Sequence, residues 1–102
     1  MILRVFLSLP HQLERTERVN CVLASIKRTM EGKGYTASSP ESVIGLDDMD
    51  SQALVRLSML VACDTVWFPK DFERSALSVG EYNYAWALNK KIVIDPVRRM
   101  LD

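Results

Sequence analysis

The sequence predicts one α/β domain: a parallel sheet of about four strands in the order 2-1-3-4, with helices on both faces. Three observations carry this expectation. Short runs rich in β-branched, leucine and aromatic residues alternate with longer stretches of helical periodicity, strand then helix, three times over. Parallel neighbours need crossovers of a dozen or more residues, which the helical stretches supply, and such crossovers are right-handed. With 102 residues, 48% of them hydrophobic, the whole chain, residues 1–102, has material for one modest core and not for two.

Each element has its own warrant. Residues 3–9 are apolar around Arg4 and Ser8, and Pro10 ends them, so they read as a buried strand and not as a signal peptide. From about residue 13 to residue 31, Val19, Val22, Leu23, Ile26 and Met30 fall on one helical face, and Gly32-Lys33-Gly34 stops the helix. Residues 35–38 form a weaker second strand, followed by a polar loop through Ser39, Pro40 and Glu41. Asp47 and Asp48 are N-cap candidates for a second helix reaching about Cys63, with Met49, Ala53, Leu57 and Leu60 along its apolar side. Thr65-Val66-Trp67-Phe68 is the third strand, closed by Pro69. A third helix over residues 77–88 ends at Asn89, and residues 91–95 give a fourth strand that Pro96 stops. Arg98 and Arg99, in the closing segment, could cap or dock.

Composition excludes several function classes. Lys and Arg total 13 against 13 Asp and Glu, so there is no basic surplus to hold a nucleic-acid polymer. No apolar run approaches the about 20 residues that span a bilayer. The two cysteines, Cys21 and Cys63, are far apart, and His11 is the only histidine, which leaves no zinc-type ligand set. Both cysteines lie in apolar helical patterns, where a buried free thiol is expected, and this fits a reducing, cytoplasmic compartment.

In an open parallel sheet the ligand site lies beyond the carboxyl ends of the strands, where the strand order reverses. That rule gathers Ser8-Leu9-Pro10-His11, residues 38–46 and residues 69–81. No phosphate-binding or dinucleotide glycine motif follows any strand, and no cofactor or metal is expected. Asp47-Asp48 could hold a metal, but capping suits it better. Ser75 and Ser78 stand at the start of the third helix, where one of them caps it or where free N–H groups hold an anion such as phosphate. Glu81 lies one to two turns further on, either turned to the site or solvated. Tyr82, Tyr84 and Trp86 read as packing or interface residues.

The segment from Asp64 through Pro69-Lys70-Asp71-Phe72-Glu73-Arg74-Ser75-Ala76-Leu77-Ser78-Val79-Gly80-Glu81 to Ala85 resembles the signature of the nucleoside 2-deoxyribosyltransferase-like superfamily. It looks closest to a small branch found in phages and bacteria, with the approximate pattern D-x-[VI]-x-x-L-P-x-W-x-x-S-x-G-A-x-x-E-x-x-x-A. Phe6-Leu7-Ser8-Leu9-Pro10 is similar to the first-strand motif Y-x-[SA]-G-P of that family. The resemblance covers nearly the whole chain with elements in register, and implies a flavodoxin-like, Rossmann-like fold.

The resemblance also implies chemistry at an N-glycosidic bond. Glu81 matches the nucleophile that attacks the sugar C1′, Ser75 the serine that grips a 5′-phosphate, and Ser8 a position beside the sugar, with Pro10 and Ser78 completing the expected binding residues. The chain departs from the pattern at four places. Phe6 replaces a tyrosine that positions the nucleophile, and Leu9 and Leu77 replace glycines. Arg56 stands where an acidic residue assists base departure; a guanidinium does not serve as a general acid at neutral pH, but could bind phosphate or pair with Glu81. Three functions stay open: an N-glycosidase or deoxyribosyltransferase, a relative that binds a nucleoside or nucleotide without turnover, and an oligomeric interaction domain. A homodimer is expected, because relatives complete their sites across subunits and so short a chain has little left for a lid.

Overall fold

The computed structural model describes residues 3–10, 16–39 and 49–101; His11 and the Asp47-Asp48 pair lie outside them. Four strands, β1 (Leu3–Leu7), β2 (Tyr35–Ser38), β3 (Thr65–Phe68) and β4 (Lys91–Ile94), form one sheet in the order β2-β1-β3-β4. All three pairings are parallel. Helices α1 (Glu17–Gly32), α2 (Met49–Val61) and α3 (Ala76–Ala87) form the crossovers, and a 3-10 turn over Phe72–Arg74 precedes α3. The expected α/β fold and strand order are therefore present.

Period-two alternation along the central strands splits the core in two. Val5 and Leu7 point to the α1 side, where they join Leu23, Ile26, Met30 and Trp67. Phe6, Val66 and Phe68 point the other way and pack with Leu60, Phe72 and Ala85, under α2 and α3. The three layers follow from this: one helix on one face, two on the other. On the second side Phe68, Phe72 and Tyr82 form an aromatic trio with centroids 5.1–5.5 Å apart.

Capping chemistry sets the helix ends. α1 opens at Glu17, later than the apolar pattern suggests, because Thr16 accepts a hydrogen bond from the Val19 N–H at 3.2 Å. Its end uses Gly34 at φ +90°, a conformation that favours glycine. α3 closes with Asn89 at φ 57°; Asn89 N–H donates to Trp86 O and Lys90 N–H to Ala85 O, a Schellman pair. Cys63 follows the end of α2, buried and free, and burial pushes its thiol upward and keeps it protonated.

Cys21 corrects an expectation: it is free but exposed. Two residues from Val19 and two from Leu23, it falls about 200° from each around the helix and leaves the buried stripe.

The closing segment, which sequence left unassigned, is docked. Asp95 Oδ1 accepts from the Val97 and Arg98 N–H groups at 2.9 and 2.8 Å, while Arg98 reaches both Asp95 and Ser25 of α1. Asp71, after β3, takes the Met100 and Leu101 N–H groups at 2.9 and 2.7 Å, and Met100 is buried in the α1-side core. Burial alone would raise the Asp95 carboxyl, but the Arg98 and Val97 N–H donors and the Arg98 guanidinium outweigh it and hold the group below its ordinary 3.8. A carboxyl depressed by folding stabilises above its unfolded value, and that contribution is lost as pH falls through the folded one. Asp95→Asn should therefore cost about 1 kcal/mol at neutral pH, with the gap from the parent closing as pH falls below 3.8. Thermal melts of both proteins from pH 2 to 7 check this; a gap independent of pH would contradict it.

Among the described residues, no helix is long and apolar enough to cross a membrane.

Candidate functional site

The chain runs from β1 to β2 on one side and then back past β1 to β3 and β4 on the other, so the order reverses between β1 and β3. Ser8 stands just beyond the carboxyl end of β1, with its N–H donating to Trp67 O at 2.9 Å. Its parity is that of Phe6, so its side chain faces α3. On α3, Ser75, Ser78 and Glu81 follow one another at spacings of three and share one face. Ser75 is the N-cap: its hydroxyl accepts from the Ser78 N–H at 3.4 Å. Ser75 thus fills the capping role expected for one of the two serines.

These elements bring together a buried polar cluster. The Ser8 hydroxyl donates to Glu81 Oε1 at 2.6 Å, and the Ser8 and Ser78 hydroxyl oxygens are 2.9 Å apart. Each hydroxyl has one proton, so with that of Ser8 committed to the carboxylate, Ser78 donates to Ser8. Arg56, from α2, donates through Nε to Glu81 Oε2 at 2.7 Å and through Nη2 to Oε1 at 2.8 Å. Arg56 and Glu81 are each only 2% exposed, and Ser8, Ser75 and Ser78 1% or less.

Burial pushes the Glu81 carboxyl above the ordinary glutamate range, while the Arg56 charge and hydrogen bonds and the Ser8 hydroxyl pull it partly back. The guanidinium lies against the carboxylate at ion-pair distance, Arg56 Nε to Glu81 Oε2 at 2.7 Å, with both side chains buried. A carboxylate held by three donors in a buried site has the chemistry to act as a nucleophile or to orient a ligand, and equally to brace α2 against α3.

Of the residues singled out from sequence, Ser8, Ser78, Glu81 and Arg56 meet directly, and Ser75 joins through the Ser78 N–H. Pro10 is buried just past Ser8. Leu9 and Leu77, at the expected glycine positions, are buried at 2% and 8% exposure. Asp64 does not join the site. It lies before β3 at the amino edge of the sheet, where its carboxylate accepts from Arg4 N–H at 3.0 Å and helps fix the start of the β1–β3 pairing.

Glu81 lines a cleft of about 190 Å³ between α2 and α3, with Ala53, Leu57, Leu77 and Gly80 among the other walls; none of the three serines borders it. A larger cleft of about 410 Å³ lies on the α1 side against β4 and contains none of the candidate residues. No group of three or more potential metal-ligating His, Cys, Asp or Glu side chains occurs among the described residues.

Pairing with Glu81, one of the two roles expected for Arg56, is present, and α2 itself carried a signal for it. Arg56 is three residues after Ala53 and four before Leu60, inside the apolar stripe of α2, and an arginine there needs a buried acidic partner. No protein-family model matches the chain, and no curated protein matches it at a significant level.

Proposed function

We propose that this chain binds a nucleoside or nucleotide beyond the carboxyl ends of β1 and β3, with the Glu81 carboxylate addressing the sugar C1′. The observation that carries the reading is the 2.6 Å bond from Ser8 to Glu81. Two segments 73 residues apart meet at the point where open parallel sheets bind ligands, through the serine and glutamate that match the nucleoside 2-deoxyribosyltransferase-like pattern.

The chemistry is a displacement in two steps. A carboxylate oxygen of Glu81 forms a bond to C1′ as the C1′–N bond breaks, and the base departs with the bonding pair and takes a proton from water. The resulting glycosyl ester is then opened by water, or by a second base, which restores the carboxylate. The second reading is binding without turnover. It is favoured by the Arg56 fork, which engages both carboxylate oxygens, and by the buried Leu9 and Leu77. Tyr84 and Trp86, exposed on α3, support the homodimer expectation.

Base release from a panel of nucleosides and nucleoside monophosphates, compared between the parent and Glu81→Ala, tests turnover. Release that disappears in the variant supports the first reading. A thermal-shift screen with the same panel tests binding, since a ligand at 100 times its Kd adds about 2.7 kcal/mol of stability. A shift without base release selects the second reading. Neither release nor shift overturns both.

A further inference from the structure

Resting on that reading of the site, we propose that Arg56 is a positioning residue for Glu81 and not a contact for the ligand. The guanidinium meets the carboxylate side-on, Nε to Oε2 at 2.7 Å and Nη2 to Oε1 at 2.8 Å. Two parallel bonds fix the plane of the carboxylate as well as its position, which a single ammonium contact does not do. The third bond, from Ser8, falls on Oε1. A carboxylate oxygen has two acceptor directions, so Oε1 is filled, whereas Oε2 accepts one bond among the described residues and keeps a lone pair for the sugar carbon. The clamp thus distinguishes two oxygens that are chemically equal in free glutamate.

The same contact sets the charge. A glutamic acid would hold a proton on one oxygen, and the nucleophile would be lost. Among the described residues, the groups acting on the Glu81 carboxyl are Ser8, just past β1, and Arg56 from α2; Arg56 is the charged one. Burial opposes the carboxylate, and the arginine charge is what counters it. A guanidinium committed in this way has its Nε–Nη2 edge occupied by Glu81, and at 2% exposure the rest of it is covered and not presented to a phosphate.

The test is a titration that needs no ligand. In uniformly ¹³C-labelled protein, the Glu81 carboxyl carbon, assigned by its absence in Glu81→Gln, is followed against pH. In Arg56→Gln its midpoint should rise by about one unit or more, a tenfold or greater gain in proton affinity, with Arg56→Lys in between. A folded Arg56→Gln protein with an unmoved midpoint overturns the proposal, since the guanidinium would then not be what holds Glu81 as a carboxylate. If Arg56→Gln does not fold, the Arg56 Nε–H resonance decides: it should move sharply between the parent and Glu81→Gln, and an unmoved resonance overturns the proposal. Failure of the nucleoside panel would remove the ligand reading and leave these outcomes unchanged, so the two failures are distinguishable.

Discussion

Arg56→Met should destabilise the protein by about 3–5 kcal/mol, because it leaves the Glu81 carboxylate buried without its counter-charge. For a small domain, whose total stability is about 5–15 kcal/mol, this is a large fraction. The double variant Arg56→Met/Glu81→Leu should recover most of that loss. Methionine and leucine approximate the volumes they replace, and a buried ion pair repays little more than its own desolvation. The two results together separate the cost of an orphaned charge from the net worth of the pair. Urea denaturation of parent, single and double variants measures both, provided that the slopes agree. A single variant within about 1 kcal/mol of the parent would mean that water reaches the carboxylate and that the site is more open than its 2% exposure implies.

Trp67→Ala is the second large effect, expected at about 3–5 kcal/mol. Trp67 is 1% exposed and the largest of the fully buried side chains. It sits on a strand paired on both edges, with Leu7 in register on one side and Val93 on the other. Removing the indole takes the largest side chain out of the α1-side cluster, and neighbours tethered in β1 and β4 have little freedom to collapse into the space. Trp67→Phe should cost much less, since a second aromatic ring keeps most of the contact. Denaturant midpoints for both variants check the order, and equal losses for alanine and phenylalanine would show that volume is not the reason.

Most of the fold was legible because its signals are local. The β-branched and aromatic run at Thr65–Phe68, the stripe from Val19 to Met30 and the stop at Gly32-Lys33-Gly34 each declare themselves within a few residues. Boundaries were less so. The apolar pattern extends back to Leu13, but the Thr16 hydroxyl decides where α1 opens, a competition that periodicity does not register. The docked closing segment was legible only in part: Arg98 was expected to cap or dock and does so, but Asp71 and Asp95 meet backbone N–H groups, which carry no sequence signature.

The candidate site divides in the same way. Ser75 and Ser78 could be placed at the start of the third helix with Glu81 one to two turns further on, and the topology rule brought Ser8 toward them. What neither gives is that Arg56 grips both oxygens of Glu81, since that depends on how far α2 slides along α3, a matter of packing between side chains distant in sequence.

The place of β1 at the centre of the sheet has a kinetic consequence. Its two neighbours are made long after it: Leu3 pairs with Tyr35 and Val5 with Thr65. As the chain leaves the ribosome, a strand whose Val5, Phe6 and Leu7 will be wholly buried has no partner on its second edge until β3 is synthesised. The strand that anchors the finished core is therefore, during synthesis, its most exposed adhesive edge. Fusions or truncations that delay β3 should raise aggregation before they alter anything measurable in the folded molecule.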